Sequence, residues 1–241
     1  MIKEKYVKYS IYLSLFIQVI TSILSYDGNN YKLKETDSVL KDVLKLELIV
    51  QVIEAAFYIW VIFSLSDLKG MTSRRYIDWI ITTPTMLIST IIFMKYQEHK
   101  EKNNGEIVTF TGFLKDNKHI ILKIVVLNAL MLLFGYLGET NQMDKNKAIF
   151  IGFIFFIWCF KTIYDEYGKK SKLGMKLFLF LLVVWGMYGV TATFGDIKKN
   201  TSYNVLDIIS KNFYGLFIYY TIKKTSSETY NIDKKELPGL M

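Results

Sequence analysis

Seven stretches of mostly apolar residues, each long enough to cross a bilayer core of roughly 30 Å, limit this chain more than any other feature. They fall at Tyr6–Tyr26, Lys41–Asp67, Arg74–Gln97, Lys118–Gly138, Asn146–Tyr167, Lys172–Gly195 and Ser202–Lys223. Their apolar residues run on continuously instead of recurring as a 3.6-residue stripe, the pattern of helices buried on all sides or facing lipid. The expected fold class is an all-α membrane protein, a seven-transmembrane helix bundle. With 51% hydrophobic residues, the composition of the 241-residue chain is too apolar for an ordinary soluble domain. Its 17 Tyr, 17 Phe and 4 Trp suit interfacial rings and an aromatic interior. Turn formers fill the connections: Asp27 to Asn30, Lys69-Gly70, Asn103 to Gly105, and Asp196 to Asn200.

The net charge of +8 resides in loops and tails. A nucleic-acid binder would gather it on one folded face, so no nucleic-acid partner is expected. The lysines instead set topology. An odd number of spans puts the termini on opposite sides. The side of the C-terminus holds Lys32, Lys34, Lys100, Lys102, Lys115, Lys169, Lys170, Lys224, Lys234 and Lys235. The other holds Lys3, Lys5, Lys69, Lys145, Lys147, Lys198 and Lys199. The excess puts the C-terminus in the cytoplasm and the N-terminus outside. The start, MIKEKYVKY, runs into an apolar stretch without a small-residue cleavage site, and reads as the first span. Residues 1–223 form the membrane domain; 224–241, polar and containing Pro238, read as a mobile cytoplasmic tail.

Between the third and fourth stretches, EIVTFTGF reads as a short strand or hairpin. The single cysteine, Cys159, permits no intrachain disulfide. His99 and His119 flank this long loop without a Cys or carboxylate at metal-ligand spacing, and read as solvated; no metal is expected. No nucleophile–base pair or phosphate loop points to an enzyme.

The seventh stretch carries Asp207 and Lys211 near its middle. One helical turn separates them, so they share a face about 6 Å apart along the axis. Each ionisable residue at mid-bilayer costs roughly 2.5–3.5 kcal/mol. Two readings account for that cost. The pair braces a bundle, or Lys211 holds a covalent ligand as a Schiff base with Asp207 in its counter-charge.

The third stretch repeats the theme. Arg75, Asp78, Thr82 and Ser89 recur at spacings of three, four and seven, on one face. Pro84 frees a backbone carbonyl near the centre. A mid-membrane Asp78 needs a cation, either Arg75 on its own helix or Lys211 across the bundle.

RYIDWIITTP in the third stretch, together with LDIISK in the seventh, resembles the microbial rhodopsin family of seven-helix retinal proteins. The resemblance implies all-trans retinal bound to Lys211 as a protonated Schiff base and enclosed by the bundle. It implies Asp78 as primary counterion and proton acceptor, Asp207 as second counterion, and Arg75 as the residue organising both. Trp79, Thr82, Thr83, Met131, Gly135, Trp185 and Tyr188 match the retinal pocket, and Asn128 falls where several members carry Asp or Asn. Without those motifs, Trp79, Met131, Trp185 and Tyr188 read first as aromatic and Met core packing. Physically, two carboxylates in a low-dielectric site stabilise the protonated iminium. They repel each other, which gives Arg75 its task. Light re-aims the N–H, and the proton leaves to Asp78.

The departures are informative. Ser89 stands where outward proton pumps of the family carry a carboxylic donor, and serine supplies no proton at neutral pH. Gly189 stands where many members have proline. Glu47, Gln51 and Glu54 share a face of LELIVQVIEAAF in the second stretch, with Asn204 and Asn212 on the seventh and Gln18 on the first. These line a hydrated cation path, or they hold the bundle together by interhelical hydrogen bonds. Channel-forming relatives also carry glutamates on the second helix, and the whole looks most like the viral rhodopsins. The expected function is light-activated ion transport, leaning to a light-gated cation channel. The alternatives are an outward proton pump with Asp78 as acceptor, and a photosensor. Expected partners are the lipid bilayer, cations or protons, and further copies of the chain, as in family members that form trimers or pentamers.

Overall fold

The computed structural model describes residues 2–63, 68–103 and 105–236, with side chains for 5–63, 70–103 and 105–230. Asp67, Asn104, Pro238 and the end of the tail lie outside the described residues. So do the side chains of Lys3, Lys69, Lys234 and Lys235 that entered the charge count.

The elements are α1 (Ile2–Asp27), α2 (Val39–Phe63), α3 (Leu68–Lys102), α4 (Phe110–Asp116), α5 (Lys118–Glu139), α6 (Lys145–Glu166), α7 (Lys172–Thr191), α8 (Asp196–Asp207) and α9 (Phe213–Glu236). A π-helical turn, Ile208–Asn212, joins α8 to α9, so 196–236 is one interrupted rod. With α1, α2, α3, α5, α6 and α7 it makes the seventh span. Six of these are long and apolar enough to cross a membrane on composition alone. The rod of α8 and α9 is diluted by polar residues such as Asn204, Asp207, Lys211 and Asn212.

Helix α3 is the central rod. In its most apolar stretch 67% of residues are buried, against 22–39% in the other five. It touches α2, α5, α7 and α8. Outward faces carry Phe16, Ile49, Leu122, Phe150, Trp158 and Val183, as lipid contact requires. Helix ends follow local chemistry. Asp144 caps α6 by accepting from the Lys147 amide at 3.0 Å, and Ser171 caps α7 by accepting from the Gly174 amide at 3.0 Å.

Several boundaries differ from the sequence reading. Lys69-Gly70 lies inside α3, and Asp196 to Asn200 forms the first turns of α8. An acidic residue in a first turn favours a helix start, as Asp196 does here. The segment EIVTFTGF forms no strand: 105–109 has no regular secondary structure, and α4 begins at Phe110. Thr109 caps it by accepting from the Gly112 amide at 3.2 Å, which starts a helix where β-propensity alone suggested a strand. The polar tail is helical as far as Glu236, with Thr229 donating back to the Thr225 carbonyl at 3.1 Å. His99 is not a solvated loop residue. It sits in the last turn of α3 and pairs with Glu106 at 2.9 Å. His119 is exposed, in the first turn of α5.

Candidate functional site

Lys211 lies in the π-turn, 2% exposed, deep in the bundle. A π-turn adds a residue to one turn and re-aims the side chains around it, and such turns concentrate at functional sites. Three carboxylates converge on its Nζ: Asp78 Oδ2 at 2.9 Å, Glu54 Oε1 at 3.0 Å and Asp207 Oδ1 at 3.6 Å. Of the two cations that the third stretch allowed for Asp78, the contact is made by Lys211.

Arg75, fully buried, serves Asp207 instead, through Nη1 to Oδ2 at 2.8 Å. The rings of Phe57, Tyr58 and Tyr203 face its guanidinium at 5.4–5.9 Å. Asp207 also accepts from Tyr58 at 2.8 Å and Tyr188 at 2.7 Å. Three donors therefore commit its lone pairs, whereas Asp78 Oδ1 has no partner among the described residues. Three acidic groups thus face two fixed cations, an imbalance that a buried site relieves by holding a further proton or cation.

Beside Lys211 lies a largely apolar cavity lined by Trp79, Thr83, Met131, Gly135, Trp185 and Tyr188, with Met86, Phe153 and Phe156 among its other walls. Trp79 meets Tyr188 edge-on at 5.6 Å and Tyr203 at 5.2 Å. Asn128 braces the wall by donating to Thr83 at 2.8 Å. Gly135 keeps space open, since a Cβ there would sit 2.6 Å from the Tyr76 hydroxyl. Thr82 is the exception among the expected pocket residues. It is fully buried, but its hydroxyl donates to the Asp78 backbone carbonyl at 3.0 Å and it does not line the cavity. A primary amine at one end of an aromatic slot fits an apolar polyene aldehyde.

The expected polar path residues are all fully buried, but they do not form one set. Glu54 belongs to the lysine cluster. Glu47 bonds Ser89. Asn204 is fully engaged: its Oδ1 accepts from Arg75, with the Tyr58 hydroxyl also 3.2 Å away, and its Nδ2 donates to Ser10 at 2.8 Å. Asn212 Oδ1 accepts from Thr21 at 2.5 Å. Gln51 packs on Gly215, where a Cβ would collide with its amide nitrogen. Between α1, α2 and α9, both amide atoms of Gln18 and Gln51, Glu47 Oε2 and Asn212 Nδ2 lack hydrogen-bond partners among the described residues.

Sequence reasoning missed two things here. Glu54 was placed on a path, not on Lys211. Tyr58 was not singled out, although it continues the 47, 51, 54 face by one turn and would have been found by extending that periodicity.

This arrangement defines a class: a seven-helix membrane protein with a buried, carboxylate-ringed lysine opening on an aromatic cavity. The bacteriorhodopsin-like protein family model matches residues 10–225, and the chain belongs to that family, whose members bind retinal. Among curated proteins it is similar to green-light absorbing proteorhodopsin of Gamma-proteobacterium EBAC31A08, at 24% identity over 173 residues, 65% of this chain and 63% of that one. It is also similar to Opsin-1 of Neurospora crassa, at 28% over 183 residues, 68% of this chain and 52% of that one. The chain thus spans less than two thirds of the length of these relatives. Among solved structures, viral rhodopsin OLPVRII superposes with a TM-score of 0.76 at 26% identity, covering 90% of this chain and 98% of that one. Bromide-bound halorhodopsin of Halobacterium salinarum superposes at 0.69 with 12% identity, covering 93% and 97%, a likeness of fold alone.

Proposed function

We propose that this protein is a retinal-binding, light-activated ion transporter, with Lys211 Nζ as the point of covalent attachment and a light-gated cation route between α1, α2 and α9. All-trans retinal bound there supplies absorption of visible light and an isomerisation that re-aims the bond to Nζ. The chain's residues do the rest. Trp79, Trp185 and Tyr188 hold the ligand's faces and exclude water. Asp78, with one oxygen 2.9 Å from Nζ and the other without a partner among the described residues, receives the proton of Lys211. Asp207, committed to Arg75, Tyr58 and Tyr188, stays as the fixed counter-charge.

One observation carries the channel reading: the partnerless buried polar atoms cluster between α1, α2 and α9. Buried polar groups are normally hydrogen-bonded, and atoms left open inside a membrane protein suit a route that takes up water. Glu54 stands where that route meets Lys211, and a carboxylate there favours cations. The second reading, an outward proton pump, draws on the Asp78 contact. The lysine excess supports an orientation with the N-terminus outside and the C-terminus in the cytoplasm.

Voltage clamp under light with defined ions on each side separates the readings. A channel's current reverses with the cation gradient, whereas a pump's keeps its sign near zero driving force. Glu54→Gln should change the reversal potential or the current amplitude. A variant unaltered in both contradicts the route.

A further inference from the structure

The cavity beside Lys211 is closed on most sides. Toward Arg75 lies a layer of rings, with Tyr203 stacked on Tyr188 at 5.6 Å and Trp79 edge-on to Tyr203 at 5.2 Å. Between α5 and α6, Phe134 stacks on Phe155, and a Cβ on Gly138 would sit 2.6 Å from that of Ala148. Between α3 and α5, the Tyr76 hydroxyl fills the space beside Gly135. Near the short connection from α6 to α7, rings zip those two helices together. Phe178 meets Tyr164 at 5.3 Å and Phe160 at 6.1 Å, and Phe160 meets Trp185 at 5.8 Å. The other half of the α6–α7 seam is built differently. Ala148, Gly152, Gly189 and Ala192 bring little side-chain volume to the cavity wall, and Phe153 covers the gap.

The Phe153 ring rests on Gly189, where any Cβ would collide with it. Gly189 stands where many family members carry proline, so its missing side chain is what gives the ring a seat. Phe153 is partly exposed, and its neighbours Phe150 and Ile154 on α6 and Val190 on α7 are open to lipid. One side chain therefore stands between cavity and bilayer. Trp185, one turn along α7 from Gly189, lines the same cavity, and its indole N–H has no partner among the described residues. It is a donor that an incoming carbonyl can meet. A polyene aldehyde dissolves in lipid and not in water, yet its amine is 2% exposed inside the bundle. Resting on the reading that retinal attaches to Lys211, we infer that it enters sideways from the bilayer between α6 and α7, with Phe153 as the door and Gly189 as the seat. Rotation of one side chain lifts the ring into lipid and breaks no hydrogen bond. The zipped rings hold both helices in place meanwhile.

The test uses the full chain, made without retinal and placed in lipid vesicles, carrying Phe153→Cys and Gly189→Cys together. Loss of the ring makes room for the new Cβ, and Cys159, 2% exposed, stays out of a reagent's reach. A short bifunctional methanethiosulfonate ties the two thiols, and a reductant frees them. Tied before all-trans retinal is added, the chain should colour at least about tenfold more slowly, and reduction should restore the rate. Tied after colour has formed, it should keep its colour, since the door and not the site is locked. Phe153→Ala should colour about tenfold faster than the unmodified chain, whereas Phe178→Ala, in the zipped half, should stay within about twofold. Uptake that ignores the tie overturns the inference. So does a tie that bleaches pigment already formed, or equal speeding by both alanine variants, which marks general loosening. An unmodified chain that stays colourless with retinal defeats attachment at Lys211 itself, and the door with it, before any variant is made.

Discussion

On one side of Lys211, rings close on rings. Phe156 packs against Phe160 at 4.5 Å and Phe153 at 5.8 Å, and Phe134 stacks on Phe155 at 5.6 Å. Among the described buried side-chain atoms of α5, α6 and α7, only Asn128 Oδ1 and Trp185 Nε1 lack a partner. On the other side, where α1 and α2 meet α9, seven helical side chains carry such atoms: Gln18, Ser25, Glu47, Gln51, Glu54, Asn212 and Tyr214. The first side is satisfied and rigid, suited to gripping an apolar ligand. The second is polar and underfilled, and each open buried group there costs of order 1–3 kcal/mol unless water serves it. The contrast teaches that tight apolar packing and open polar groups are assigned to different helices around one amine.

Two substitutions should pull the sides apart in opposite directions. Phe156→Ala empties part of the packed wall, and should lower stability by roughly 3–5 kcal/mol and weaken pigment retention. Thermal bleaching of the purified pigment measures both. Gln51→Leu replaces two unpaired amide atoms by apolar ones, and should raise stability by about 1 kcal/mol while cutting the photocurrent. Unfolding and voltage-clamp data on the same variant check the pair of effects. If Gln51→Leu leaves the current untouched, or Phe156→Ala costs nothing, the division of labour drawn here is wrong.

Much of the site was legible because its chemistry is dense in sequence. Asp207 and Lys211 one turn apart, and Arg75 and Asp78 on one face of α3, announce themselves as charges in apolar runs, and the structure brings all four together. What sequence could not give is which side chain meets which across the bundle. Periodicity turned Glu54 inward but did not say that it reaches Nζ, and it set Glu47 and Ser89 on two helices without pairing them. The π-turn was invisible for a similar reason, since LDIISK carries no Pro or Gly to mark it. Capping decided the rest: Thr109 turned an apparent strand into a helix start.

The central claim is that a retinal aldehyde condenses with Lys211 and with no other amine. It is tested by adding all-trans retinal to the purified protein, fixing the bond with borohydride and mapping the modified peptide by mass spectrometry. The account predicts a coloured protein with the added mass on Lys211 alone, lost in Lys211→Ala. A colourless protein, or the mass on one of the loop lysines, would contradict it.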